Sequence, residues 1–300
     1  MNIAIIGSGI VGQATGMGLA SNGNKVIFHD INRDKLLNLK NSGYEATDNL
    51  EEAVSNSKVV FVCVPTPTVK NKIDLSHIQE CAKNIGKALQ KNKKYAVIVF
   101  RSTIPPQTTR TKLVPSLEIS SHLSAGKDFG ICTNPEFLRE KSPLEDFLNP
   151  SRIVIGELDK KSGNILEKIY TTFKCPLIRT DLDTAEMIKY VSNMYLAAKI
   201  SFFNEIYLIC KKLGLNARII SETASLDPRI GKYGVIGGKP FGGMCLPKDL
   251  AAFIDFANSK GLNFTLLQAI AEVNQEMNSY CSMSHELQMP REEYVDLSSN

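Results

Sequence analysis

The residues best placed to do chemistry sit in Gly238-Lys239-Pro240-Phe241-Gly242-Gly243-Met244-Cys245-Leu246-Pro247-Lys248-Asp249. Gly242 and Gly243 let a backbone approach a ligand closely, and the pattern of Ala251, Phe253 and Ala257 predicts a helix starting at the cysteine. At a helix N-terminus, with Lys248 nearby, Cys245 favours thiolate over thiol, the form a nucleophile needs. Asp249 lies one turn on and can hold a water or an alkoxide beside the sulfur. A buried structural cysteine after a glycine turn is the competing reading. Glu136 and Glu140 share a face if residues 136–140 make a helical turn. Two acids that close can be held at different pKa values, as acid–base work needs; otherwise they are a solvated helix face. Lys189 and Asn193, four apart on a helix, can face one cleft together or simply face water. Thr103 follows a strand, so its hydroxyl lies on a ligand-binding rim, although its Ser-Thr-x-Pro turn also reads as a helix cap.

The elements that must position these groups are those of an α/β fold. Residues 2–6 form an apolar run expected to be a buried parallel strand, and Gly7-Ser8-Gly9-Ile10-Val11-Gly12 follows at once, opening a helix through Ala20. A second strand over residues 25–29 ends on Asp30. That order is the one a dinucleotide fold requires: glycines for the tight turn, a helix N-terminus facing the pyrophosphate, and Asp30 accepting hydrogen bonds from the adenosine ribose. A carboxylate there repels a 2′-phosphate, so NAD is favoured over NADP. Further strands are expected over residues 58–64, 95–100, 129–133 and 152–156, the last closing a doubly wound, mostly parallel sheet. A helix is expected over 78–89, and Pro65-Thr66-Pro67 should make a rigid loop at a strand's C-terminal end. From Thr184 the character changes. Residues 185–213 contain no Gly or Pro and repeat apolar side chains at helical spacing, a helix long enough to suggest a second copy as its partner. Shorter helices are expected over 217–224 and 264–279. The chain thus divides into a Rossmann-type domain (1–183), an all-α domain carrying the cysteine (184–280) and a polar, irregular tail (281–300).

Composition bounds the function. A 300-residue chain with 43% hydrophobic residues can bury two sizeable cores. Net charge +4 without a basic run gives no sign of nucleic acid or an anionic membrane, and no stretch approaches ~20 apolar residues, so a cytoplasmic setting is expected. Seven scattered cysteines with no zinc spacing point to reduced thiols and no metal.

Taken together, Gly7–Gly12, Val64-Pro65-Thr66-Pro67, Ser102-Thr103-Ile104-Pro105, Asn134-Pro135-Glu136-Phe137-Leu138-Arg139-Glu140, Lys189 with Asn193, Asp227-Pro228-Arg229-Ile230-Gly231 and Phe241–Asp249 closely resemble the UDP-glucose/GDP-mannose dehydrogenase family, over roughly residues 1–280. The resemblance implies oxidation of a primary alcohol, such as that of a nucleotide-sugar, through an aldehyde to a carboxylate, with two NAD. It implies that Lys189, Asn193, Asp249 and Thr103 surround the reacting oxygen, that Cys245 captures the aldehyde, and that Glu140 or Glu136 assists thioester hydrolysis. It further implies a cofactor set of Gly7, Gly9, Ile10, Val11, Gly12, Asp30, Arg33, Pro65, Thr66, Thr103, Glu140 and Lys248. The implied substrate set is Phe137, Leu138, Arg229, Phe241, Gly242 and Gly243, and the implied assembly is a homodimer. Three positions depart from the family's pattern: Ile10 where an aromatic is frequent, Gln107 where glycine is common, and Lys141 where glycine is usual. The family also has a third domain, and only 22 residues follow Asn278, short of the ~50 a small domain needs. A fragment, a different substrate or a completing partner would each account for that. Two other functions stay open: a two-electron dehydrogenase resembling the hydroxyacid dehydrogenases, and a non-catalytic dimerising module.

Overall fold

The computed structural model describes residues 1–69, 72–92 and 94–284. They form two compact units: Met1–Val69 with Ile73–Lys189, and Tyr190 onward with Lys72.

The first unit is built on an eight-stranded sheet. In chain order it runs β1 (Asn2–Ile6), α1 (Ile10–Ser21), β2 (Lys25–His29), α2 (Arg33–Asn41), β3 (Glu45–Thr47), α3 (Leu50–Ser55) and β4 (Val59–Val62). A short ribbon, β5 (Thr68–Val69) and β6 (Lys72–Ile73), leads to α4 (Ser76–Lys91) and β7 (Val97–Phe100). A π-helical turn, Thr109–Leu113, runs into α5 (Val114–Ser121), followed by β8 (Gly130–Thr133), α6 (Pro143–Leu148), β9 (Ile153–Glu157), α7 (Lys160–Glu167) and β10 (Leu177–Asp181). The sheet order is β10-β9-β8-β7-β4-β1-β2-β3, parallel except where β8 meets β9. From β3 to β8 this is the order of a classical dinucleotide fold, with the direction of winding reversing between β1 and β4.

The central strands read as unbroken apolar runs because both faces are covered. Alternate side chains divide them: Ala4, Val60, Val62, Ile98 and Phe100 pack with Val54 of α3, Ile78 and Ile85 of α4 and Leu117 of α5. Ile3, Ile5, Phe28, Phe61 and Val99 pack on the opposite face with Leu19 of α1, Leu36 of α2, Phe147 of α6 and Leu166 of α7.

Two expectations are corrected in this unit. The strand β9 is not the last, because β10 adds to its edge in parallel register. With Ile178 39% exposed and polar neighbours, β10 carries an edge strand's composition and lacks the apolar run that marks the others. Residues 136–139 are not helical: the chain leaves β8 without regular structure and turns at Glu140 before α6. Side chains take the amides a helix would have used. The N–H of Leu138 donates to the Glu136 carboxylate at 2.6 Å and that of Arg139 to Asp146 at 2.6 Å.

The second unit is helical. The helix α8 (Leu182–Leu213) begins in the first unit and runs 32 residues, and α9 (Ala217–Ala224), α10 (Leu246–Ser259) and α11 (Thr265–Ser284) follow. Its core stacks Tyr190 on Phe253 at 4.9 Å between ring centroids, with Phe264 5.7 Å from Phe253. Val191, Tyr195, Phe202, Ile209 and Leu213 leave an exposed apolar stripe along α8. The last helix continues past the expected Ser279, through Cys281 to Ser284, because no Gly or Pro stops it, so the irregular tail does not begin at 281. The rest of that tail, 285–300, lies outside the described residues. No helix among the described residues is long and apolar enough to cross a membrane.

Candidate active site

Each unit supplies a distinct polar assembly. In the first, three glycines after β1 do three different jobs. Gly7 has φ +94°, and a Cβ there would press on the Cys63 backbone at 2.9 Å. Gly12 brings α1 against the turn, since a Cβ would collide with the Gly7 carbonyl. A Cβ at Gly9 would meet nothing within 4 Å, leaving the backbone open to a ligand at the N-terminus of α1, which has no side-chain cap and no acidic residue in its first turn. An uncapped helix start bared by glycine is the setting a pyrophosphate takes, so these residues fit a dinucleotide. Ile10 is exposed and Val11 half-buried beside them.

Asp30, just past β2, is 7% exposed. Its carboxylate accepts the Ser8 N–H at 2.7 Å and the Asn32 N–H at 2.9 Å, so one side chain ties the glycine turn to the strand beside it. Lys35 lies 3.5 Å away. Arg33, at the start of α2, extends into solvent 3.7 Å from Asp48. Loops after β4 and β7 are laced together: Thr66 donates to the Thr103 carbonyl at 2.8 Å and Ser102 to the Val64 carbonyl at 2.6 Å. Thr103 is half-buried in a loop, and the π-helical turn begins only at Thr109, so it caps no helix. Pro65, in the loop after β4, is exposed.

Glu136 and Lys189 form a buried ion pair at 2.8 Å, each side chain 6% exposed. Neither is the solvated surface group that its spacing also allowed. Burial alone would raise the Glu136 carboxyl, but the Lys189 ammonium, the Leu138 N–H and the Arg101 charge outweigh it and hold the group below the ordinary carboxylate range. Glu140 is exposed, and the expected shared helical face does not form. Phe137 is half-buried under Arg152, whose guanidinium carbon lies 3.8 Å from the ring centroid, and Leu138 is half-buried next to it.

Sequence reasoning gave no role to Arg101 and Asn134, which lie behind this pair. The Arg101 guanidinium donates to the Asn134 carbonyl at 3.2 Å and to its side-chain oxygen, and Tyr170 donates to that same oxygen at 2.6 Å. A charged residue directly after the apolar run of β7 was the available signal.

The second unit centres on Asp249, 1% exposed. It accepts Asn193 Nδ2 at 2.6 Å and Lys248 Nζ at 2.6 Å. Its N–H donates to the Cys245 carbonyl at 2.8 Å, closing the first turn of α10. Cys245 is the N-cap of that helix, is exposed, and is in no disulfide, so the expected helix-terminal thiol is present and not entombed. Phe241 is buried, Gly242 and Gly243 are exposed, and Gly243 has φ +73°. Arg229 is folded onto Asp227 by a two-pronged ion pair with its closest approach at 2.6 Å.

Comparison with known proteins points to one family. Residues 37–174 correspond to the NAD binding domain of the UDP-glucose/GDP-mannose dehydrogenase family and residues 183–276 to its central domain. The chain is 38% identical to the UDP-glucose 6-dehydrogenase TuaD of Bacillus subtilis, over 91% of this chain and 63% of that protein. It is 37% identical to the GDP-mannose 6-dehydrogenase of Pseudomonas aeruginosa, over 91% and 68%. Among solved structures, a UDP-glucose dehydrogenase from Pyrobaculum islandicum superposes with a TM-score of 0.90 at 33% identity, covering 95% of this chain and 71% of that one. The chain therefore spans about two thirds of the length of these relatives. A dinucleotide turn, a buried Lys–Glu pair and a helix-capping thiol, with family domains matched over most of the sequence, make this chain a member of the UDP-glucose/GDP-mannose dehydrogenase family.

Proposed function

We propose that the chain carries out NAD-dependent oxidation of a primary alcohol to a carboxylate, with C6 of a nucleotide-sugar as substrate. The observation that carries this reading is Cys245: an exposed thiol at the N-cap of α10, one turn ahead of a buried carboxylate held by Asn193 and Lys248. A simple two-electron dehydrogenase has no use for that thiol.

The glycine turn Gly7–Gly12, Asp30, Arg33, Pro65, Thr66, Thr103, Glu140 and Lys248 are assigned to the cofactor. NAD, when bound, supplies the hydride acceptor for both oxidations. In the first oxidation the alcohol loses a proton and a hydride to give an aldehyde, and Lys189, Asn193, Asp249 and Thr103 are assigned to stabilising charge on its oxygen. The Cys245 thiolate then adds to the aldehyde carbon, forming a C–S bond and, after protonation, a thiohemiacetal. Loss of a second hydride from that carbon, together with the proton of its hydroxyl, leaves a thioester. Water attacks it, the C–S bond breaks, and the carboxylate leaves with the thiol restored. Glu136 or Glu140 is assigned to directing that water. Phe137, Leu138, Arg229, Phe241, Gly242 and Gly243 are assigned to the sugar side. Covalent capture keeps the reactive aldehyde from escaping.

Two further assignments accompany this reading. The exposed stripe Val191, Tyr195, Phe202, Ile209 and Leu213 on α8 supports a homodimer, since apolar side chains in such a row call for a partner surface. Seven cysteines without a disulfide suit a reducing, cytoplasmic setting. The test is turnover by the purified 300-residue chain with NAD and either UDP-glucose or GDP-mannose. Uronic acid formation is expected; no NADH with either sugar nucleotide would overturn the substrate assignment.

A further inference from the structure

Upstream of Cys245 the chain makes an irregular excursion whose backbone is held by side chains of two different helices. Asn204, fully buried on α8, accepts the Gly238 N–H at 2.9 Å and donates to the Lys239 carbonyl at 2.8 Å. Asn274, 8% exposed on α11, accepts the Phe241 N–H at 2.8 Å and donates to the Phe241 carbonyl at 3.1 Å. A carboxamide offers a donor and an acceptor to a peptide at once, and at Asn274 it reproduces the pairing a neighbouring strand would give. The Cys281 thiol of α11 adds a contact at 3.4 Å to the Gly238 carbonyl. Steric constraints reinforce the clamp: Gly238 has φ +105°, and a Cβ at Gly237 would strike α8 at the Phe203 carbonyl. A loop packed against helices carries backbone groups that must find partners, and here two asparagines supply four hydrogen bonds.

The clamp ends at Phe241. Gly242, Gly243 and Met244 are exposed, a Cβ on Gly242 would meet nothing within 4 Å, and the next anchored group is the Cys245 carbonyl in α10. The thiol therefore stands at the end of a short glycine span stretched between two fixed points, the Asn274–Phe241 pair and the first turn of α10.

We propose that Asn204 and Asn274 are positioning residues for Cys245: by fixing residues 238–241 they set where the thiol stands at the head of α10. Their carboxamides bond backbone groups of residues 238–241, and nothing in the proposed chemistry requires them otherwise. The inference deepens the functional reading above but does not need turnover to be tested.

The experiment compares the parent chain with Asn204→Ala, Asn274→Ala and Asn274→Asp, the last keeping the acceptor for the Phe241 N–H while losing the donor. Thermal melts identify which variants fold. The rate of Cys245 alkylation by iodoacetamide is then followed against pH by peptide mass mapping, with Cys245→Ser as the blank. In folded alanine variants the thiol is expected to lose its place at the helix terminus. The rate of alkylation should change about two- to fivefold at neutral pH, with Asn274→Asp in between. A profile superimposable on the parent's in folded variants overturns the proposal. If all the alanine variants unfold, Asn274→Asp and an Asn204→Asp counterpart carry the same comparison. With sugar nucleotide and NAD added, semicarbazide should trap aldehyde from the variants and none from the parent. A parent that reduces no NAD removes the functional reading, while the alkylation profiles still decide the positioning role.

Discussion

Lys189 and Glu136 show how a single pair is constrained by burial. At 2.8 Å and nearly out of solvent, each charge offsets the other's desolvation, so removing one is worse than removing both. Lys189→Met should lower stability by about 3–5 kcal/mol in urea titrations, and adding Glu136→Gln should recover most of it. Additive losses would mean that the pair is not coupled. Because the Glu136 carboxyl is held below its ordinary value of ~4.3, its stabilisation is complete above that pH and is lost as pH falls through the lowered value. Asp30→Ala should weaken NAD binding by roughly 1–3 kcal/mol in titration calorimetry, since a charged acceptor is lost and the Ser8 amide of the glycine turn is left without its carboxylate. Unchanged affinity would remove Asp30 from the cofactor site.

At the level of elements, α8 and the turn before α5 share a buried group that the proposed chemistry does not use. Glu186 on α8 accepts the Thr109 N–H at 2.9 Å and is 2% exposed. Burial pushes its carboxyl up to about 7, with Asp183 adding to the rise and bonds from Thr109 and Gln107 opposing it. An acid whose folded value exceeds its unfolded ~4.3 stabilises fully below ~4.3 and loses that contribution as pH rises toward 7. Glu186→Gln should therefore gain roughly 1–3 kcal/mol over the parent at pH 8 and little at pH 5, measured as the difference between two urea midpoints. Equal effects at both pH values would contradict the buried-acid assignment. Just ahead of this contact, Gln107 adopts φ +73°, a conformation that strains a residue with a Cβ. Gln107→Gly should raise stability by about 0.5–1 kcal/mol, read from the melting temperature, and a loss there would mean that the side chain contributes more than the strain costs.

Across the whole molecule, what was legible in the sequence is what short-range physics controls. The glycine turn with Asp30, the 185–213 helix and the helix-capping cysteine each follow from a local pattern of backbone freedom or periodicity. Residues 136–140 misled because the side chains of Glu136 and Asp146 captured the helical amides, and β10 escaped notice because an edge strand lacks an apolar run. Partnerships across long separations, such as Arg101 with Asn134 or Asn274 with Phe241, leave no trace in local spacing. The proposed homodimer predicts that the parent sediments as a dimer and that Phe202→Glu with Ile209→Glu shifts it to monomer in sedimentation velocity; a parent that already sediments as a monomer would overturn the assembly, and a variant that stays dimeric would remove the α8 stripe from it. Covalent capture by Cys245 stands or falls on the NADH released per carboxylate formed, in the parent and in Cys245→Ala. Two NADH per acid in the parent, with acid formation abolished and NAD affinity retained in the variant, is the predicted result. One NADH per substrate in the parent, or undiminished acid from the variant, would contradict it.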